Sequence, residues 1–228
     1  MRCGLYGKLP CKRDFIAQSL PAGFLPVYEP WLQAGMAASK TALGSAWQGV
    51  YMKAPIWRFW LGASYCGRTV LGALMPSIDG IGRYFPLTIA ASPEEDTFLP
   101  PVVAPQTEWF VKAEDLLLEA LDETTEFDPY LAKLEALPGP PVAPRPETPD
   151  AVVVSRTGFL TGTGDETNLS SLFDAVRRSE EAARFENGTF WWTIGGEEQP
   201  AQILYGRRLP PPEAFAGLLA ARIDVNLL

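Results

Sequence analysis

The chain has 228 residues, 47% of them apolar, with 19 basic and 27 acidic side chains, three cysteines and no histidine. That length supports a core of ordinary size, while a net charge of −8 repels phosphate backbones and anionic bilayers, so nucleic acid is not an expected partner. Without histidine, Ser-His-Asp and Cys-His nucleophiles and histidine-ligated metals are excluded.

The opening stretch MRCGLYGKLP has neither an apolar segment nor a small-residue cleavage site, and no apolar run approaches the ~20 residues of a membrane span. The expectation is a cytoplasmic protein without membrane insertion. Cys3, Cys11 and Cys66 make an odd count with no CxxC spacing, which speaks against a disulfide framework or a zinc site and for reduced thiols.

Residues 2–8 read as a first strand, ended by Pro10. Residues 25–43 read as a helix, broken or restarted at Pro30, with Trp31, Gly35, Ala38 and Ala42 forming a small-residue stripe. A short helix follows over 45–53. Residues 56–61, IWRFWL, are aromatic and β-favouring. Alternation there groups Ile56, Arg58 and Trp60 on one face and Trp57, Phe59 and Leu61 on the other. Two more strands, 68–78 and 83–91, are joined by the Gly80/Gly82 loop and complete an antiparallel meander.

Residues 107–123 predict a helix capped by Thr107, with Phe110, Ala113, Leu117 and Leu121 on one face. Residues 128–137 predict another, with Asp128 as N-cap and Pro129 in the first helical position. The stretch 138–150, PGPPVAPRPETPD, fits neither helix nor central strand and reads as an extended connection. Beyond it come a short buried strand at 151–155 and an amphipathic helix over 166–185 with Leu169, Leu172, Phe173 and Val176 inward. A strand pair at 188–194 and 201–206 follows. The last element is a helix over 211–222 aligning Phe215, Leu218, Leu219 and Arg222. This order favours an α/β (α+β) sandwich: a central mixed, largely antiparallel sheet with helices on both faces. Residues 151–228 offer too few strands to stand alone, so one body spanning 1–228 is expected.

Gly80-x-Gly82 and Gly162-x-Gly164 lack the third glycine of a dinucleotide fingerprint and precede no Lys-Ser/Thr, and Asp165 and Glu166 would repel phosphate. No cofactor or metal is expected. Ser77 has no strand-to-helix elbow motif and no histidine to take its proton. Asp79 and Arg83 stand at i,i+4, and Arg58, a charge on an apolar strand, needs a partner. A structural Arg58–Asp79–Arg83 grouping that pins the loop is preferred over catalysis. Trp191 and Trp192 point to opposite faces of their strand, one into the core and one left over.

Four segments, GLYGKLPCKRDFI (4–16), WLQAGM (31–36), APIWRFWL (54–61) and LMPSIDGIGRYFPLTI (74–89), together resemble the amino-terminal region of the TagF family of type VI secretion-associated proteins. One position departs: the glycine that this family carries before Asp14 is here Arg13, which would be costly if that position needs a positive φ. The resemblance implies a cytoplasmic, non-enzymatic, post-translational repressor of the bacterial type VI secretion system that binds the system's forkhead-associated (Fha) scaffold protein. On the loop segments that carry the resemblance, Lys12, Arg13, Asp14, Asp79 and Arg83 are the expected partner-binding residues, with Tyr84, Phe85 and Leu87 packed inward. The alternatives are a small cytosolic hydrolase using Asp14, Asp79 and Arg83, and a structural accessory subunit of the secretion machine.

Overall fold

Aromatic and β-branched runs alternate with amphipathic stretches along the chain, and they assemble in space as strands and covering helices. The computed structural model describes residues 3–122, 124–144, 153–154, 160–161, 169–196 and 199–228. The strands are β1 (Cys3–Gly7), β2 (Ile16–Gln18), β3 (Trp57–Leu61), β4 (Val70–Met75), β5 (Leu87–Ala91), β6 (Val153–Val154), β7 (Leu160–Thr161), β8 (Thr189–Thr193) and β9 (Gln202–Gly206). Seven of them form one sheet in the order β2-β1-β5-β4-β3-β8-β9. Every pairing in it is antiparallel. The expected meander is β3-β4-β5, and β8 pairs with the other side of β3 (Phe59 opposite Trp191). Strands from both sides of the proline-rich stretch therefore share one sheet. The pair β6–β7 stands apart from it.

Period-two alternation on β3 sorts the molecule into two cores. Trp57, Phe59 and Leu61 pack with α1 (Phe24–Leu43), α2 (Trp47–Met52) and α7 (Phe215–Leu219). Ile56 and Trp60 face α4 (Thr107–Glu119) and α5 (Phe127–Glu135) on the opposite side. Helix α6 (Leu169–Glu186) adds Phe185 to that second core, and a single turn, α3 (Ala63–Cys66), lies between β3 and β4. The result is an α/β/α sandwich of α+β class.

The α1 side is built from stacked rings: Phe24 on Tyr28 at 4.5 Å and Trp31 against Trp191 at 4.6 Å. The buried indoles of Trp31, Trp47 and Trp57 have their N–H groups satisfied, whereas that of Trp191 does not. Trp31 donates to the Pro210 carbonyl at 2.7 Å and Trp57 to that of Leu218 at 2.8 Å, so the carboxy-terminal segment closes this core. Gly35 makes the approach possible, because a Cβ there would lie 2.4 Å from the Phe215 ring.

Several local expectations shift. Helix α1 runs unbroken through Pro30 and buries Phe24, Tyr28, Trp31, Leu32, Gly35, Met36 and Ser39, while Ala42 is exposed. Burial of large rings on both sides of Pro30 outweighs the one hydrogen bond it removes. Helix α4 begins after Gln106, which takes a left-handed φ of 53°, and Thr107 provides no side-chain cap. Leu121 lies past its end and is exposed. Helix α5 starts at Phe127 with Asp128 inside its first turn, where a carboxylate faces the positive helix end. On α6, Ala175 and Ser179 are buried and Phe173 is 67% exposed. The final helix shortens to α7 after a 3-10 turn at Pro212–Ala214, and Arg222 is exposed beyond it. Gly162, Gly164, Asp165, Glu166 and residues 145–150 lie outside the described residues, as does most of the strand expected at 151–155.

Candidate interaction site at the Asp79 loop

The β4–β5 connection leaves the sheet at Met75 and returns at Leu87, and its course is fixed by hydrogen bonds to two other segments, helix α2 and the β1–β2 connection. The Ser77 amide donates to the Tyr51 hydroxyl, which in turn donates to the Ser77 carbonyl, both at 2.9 Å. The Ser77 hydroxyl donates to the Lys8 carbonyl at 2.8 Å. The amides of Asp79 and Phe85 donate to the carbonyls of Arg83 and Ser77, closing a small hairpin, and the Gly80 amide donates to the Lys12 carbonyl at 2.9 Å. Gly82 turns the hairpin at φ 82°, a conformation costly for a residue with a side chain. Gly7, at φ 131°, lets β1 pass the strand beside it: a Cβ there would sit 2.0 Å from the Pro86 carbonyl oxygen.

Asp79 is the hub of this arrangement. Its side chain is fully enclosed and accepts from Lys8 Nζ at 2.5 Å and Arg83 Nε at 2.6 Å. Its other oxygen accepts the amides of Arg83 at 2.8 Å and Ile81 at 3.2 Å. Burial on its own raises the carboxyl pKa. The hydrogen bond from Lys8, then those from the Arg83 backbone and side chain and from the Ile81 amide, outweigh burial and hold it well below the usual carboxylate range. Lys8 is itself buried, and its ammonium lies 4.8 Å from the Phe15 ring centroid. Phe15 packs edge-on against Phe85 at 4.8 Å. The Arg83 guanidinium, half exposed, also donates to the Arg13 carbonyl.

One of the five expected partner-binding residues is placed differently. Asp79 is 2% exposed and cannot present itself to a partner; four donors around this loop carboxylate compensate the cost of its burial. Lys12, Arg13, Asp14 and Arg83 are exposed. Lys12 stands over the Phe127 ring at 4.2 Å. Arg13 is absent from the positive-φ residues Ser19, Gln106 and Ala221, so the arginine in place of the family's glycine carries no strain. Tyr84 is half-buried, and Phe85 and Leu87 are buried as expected.

The expected grouping of Arg58 with Asp79 is corrected. Arg58 pairs in bidentate fashion with Glu114 of α4, Nε to Oε1 at 2.6 Å and the terminal nitrogen to Oε2 at 2.8 Å. It points to the α4 side of the sheet because alternation sends it there, away from the β4–β5 loop. The residues missed were Lys8, Tyr51 and Glu114. Glu114 was detectable, since Phe110, Glu114 and Leu117 share a helical face that Arg58 meets. Both tryptophans of the β8 pair are used: Trp191 is fully buried, and Trp192 packs edge-on against Phe110 at 4.9 Å in the opposite core.

The buried thiols of Cys3 and Cys66 are pushed up to about 11 by burial, which makes them poor nucleophiles. Among the described residues no group of three or more acidic or cysteine side chains is placed to hold a metal ion, and no helix is long and apolar enough to cross a membrane. Both Asp79 oxygens are occupied and the Ser77 hydroxyl is committed to a backbone carbonyl. The geometry is that of a braced loop displaying basic side chains.

An open antiparallel sheet covered on both faces, with a loop of this kind at one end, defines an α+β protein whose exposed chemistry lies in loops. The model of the TagF N-terminal domain, described as type VI secretion system-associated, matches residues 4–137. The chain belongs to the TagF family and is a type VI secretion-associated protein. Its structure is similar to the crystal structure of PA0076 from Pseudomonas aeruginosa PAO1, with a TM-score of 0.78 and 31% sequence identity, over 98% of this chain and 96% of that one. A search of the curated proteins finds no match.

Proposed function

We propose that this chain is a cytoplasmic, non-enzymatic regulator that represses type VI secretion post-translationally by binding the system's Fha scaffold, and that it works as one unit from end to end. The observation that carries this reading is the Asp79 hub. It spends two buried charges and two backbone amides on fixing a loop, and the exposed products of that bracing are Lys12, Arg13, Asp14 and Arg83. Rigid display of charged side chains from loops is what a binding surface needs. Full occupancy of the Asp79 carboxylate supports a role without proton transfer. Deleting the chain from a secreting strain and measuring effector release tests the proposal. A repressor raises release on deletion; loss of release would identify a structural subunit of the machine instead.

A further inference from the structure

Beside the Asp79 loop, the end of the sheet opens into a groove of about 450 Å³. Its lining includes Met52 and Ile56 from the α2–β3 region, Leu118 and Leu121 from the end of α4, and Met75 and Ile78 from the β4–β5 region. Met52, Leu118 and Leu121 are 55%, 53% and 43% exposed. Three large apolar side chains around one concavity differ from scattered surface hydrophobics, and such a patch marks an interaction site. The methionines in its lining, Met52 and Met75, suit an occupant of variable shape.

The charge around the groove is uneven. Residues 8–14 and 79–83, which border it through Pro10 and Ile78, carry Lys8, Lys12, Arg13 and Arg83 against Asp14 and Asp79. That is a local excess of two positive charges on a protein of net charge −8. Lys53, which follows the lining residue Met52 in the chain, is exposed and adds a further positive charge on that side. The α4 side carries exposed Asp115 and Asp122 instead, with the Asp122 carboxylate accepting from the Thr124 amide and hydroxyl at 2.8 and 2.7 Å.

We propose that this groove docks an acidic segment of a partner protein, one whose apolar side chains enter between Met52 and Leu118 while its carboxylates face Lys12, Arg13 and Lys53. Apolar anchors in a concavity supply the affinity, and the basic rim sets orientation and speeds encounter. The acidic α4 side turns the segment's charged side toward the loop. The proposal rests on the reading of the chain as a scaffold-binding regulator and names the site and the chemistry of what binds there.

The test uses the full chain and the purified Fha scaffold as probe, with binding isotherms at low and high salt. Leu118→Glu/Leu121→Glu, on exposed positions, is expected to weaken binding by about tenfold or more. Met52→Glu, a lining position on a different helix, is expected to do the same. Lys12→Glu/Arg13→Glu is expected to weaken binding several-fold and to flatten its salt dependence. Phe173→Glu, at a still more exposed apolar position on α6, leaves binding unchanged. If the scaffold binds wild type and groove variants alike, the groove is overturned and the regulator reading stands. Unchanged or tighter binding by Lys12→Glu/Arg13→Glu overturns the acidic occupant. If wild type itself does not bind the scaffold, both the groove proposal and the reading beneath it fall.

Discussion

Among the described residues two ion-pair centres are enclosed, and they are built for different tasks. Arg58 and Glu114 meet side chain to side chain between a strand and a helix, each satisfying the other. Asp79 meets two cations and two backbone amides, so its carboxylate is part of the loop's own wiring. A pair of the first kind is replaceable in principle by apolar groups of similar size, because removing both charges leaves nothing unsatisfied. A hub of the second kind has no such substitute, since the amides it serves remain whatever replaces it. Buried charge is therefore not one phenomenon here: the first centre clamps two elements together, and the second determines the shape of a loop.

The sharpest way to break this contrast is Asp79→Ala. It leaves Lys8 buried without its partner and two amides unserved, and is expected to cost about 3–5 kcal/mol, read as a lowered midpoint in chemical denaturation. Arg58→Ala strands Glu114, which keeps slight access to water, and is expected to cost about 3 kcal/mol. The double replacement Arg58→Met/Glu114→Leu should recover most or all of that loss. A double variant as unstable as Arg58→Ala would show that the two centres are of one kind after all.

Acid tests the second centre directly. The folded-state pKa of Asp79 is depressed below its unfolded value near 4. Its contribution is thus complete above about pH 4 and is lost as the pH falls from there through the folded value. Stability measured downward from pH 5 should fall in wild type and fall less steeply in Asp79→Asn. The smallest expected effect is that of Arg83→Ala. Its side chain is 54% exposed, so the change should cost about 0.5–1 kcal/mol and leave the melting temperature close to wild type. A large loss there would move Arg83 from the displayed surface into the frame.

Much of this was legible along the chain, and the failures have physical causes. The alternation in IWRFWL sorted Trp57, Phe59 and Leu61 from Ile56, Arg58 and Trp60 correctly, because a strand's period is fixed by its backbone. The Asp79–Arg83 pair was visible as a local i,i+4 relation. Lys8 was not, since 71 positions separate it from Asp79 and only the β1–β5 pairing brings them together. The burial of Asp79 was misread because polar loop residues usually face water, and nothing local reveals four donors arriving from two segments. On α6, size misled: Phe173 was expected inward, but small Ala175 and Ser179 occupy the buried positions. Periodicity locates apolar side chains and does not rank a large one against a small one that allows closer approach.

The order in which β3 acquires its neighbours has a consequence for synthesis. Its partner on one side, β4, lies nine residues downstream, whereas its partner on the other, β8, begins only at Thr189. As the chain emerges from the ribosome, the first five strands can pair while one edge of an aromatic strand still waits for residues more than a hundred positions away. Long-range closures of this sort are slow, and an unpaired edge is open to other chains meanwhile. A nascent chain stalled near the proline-rich stretch should recruit chaperones or aggregate, and release from the stall should cure both once β8 has been made.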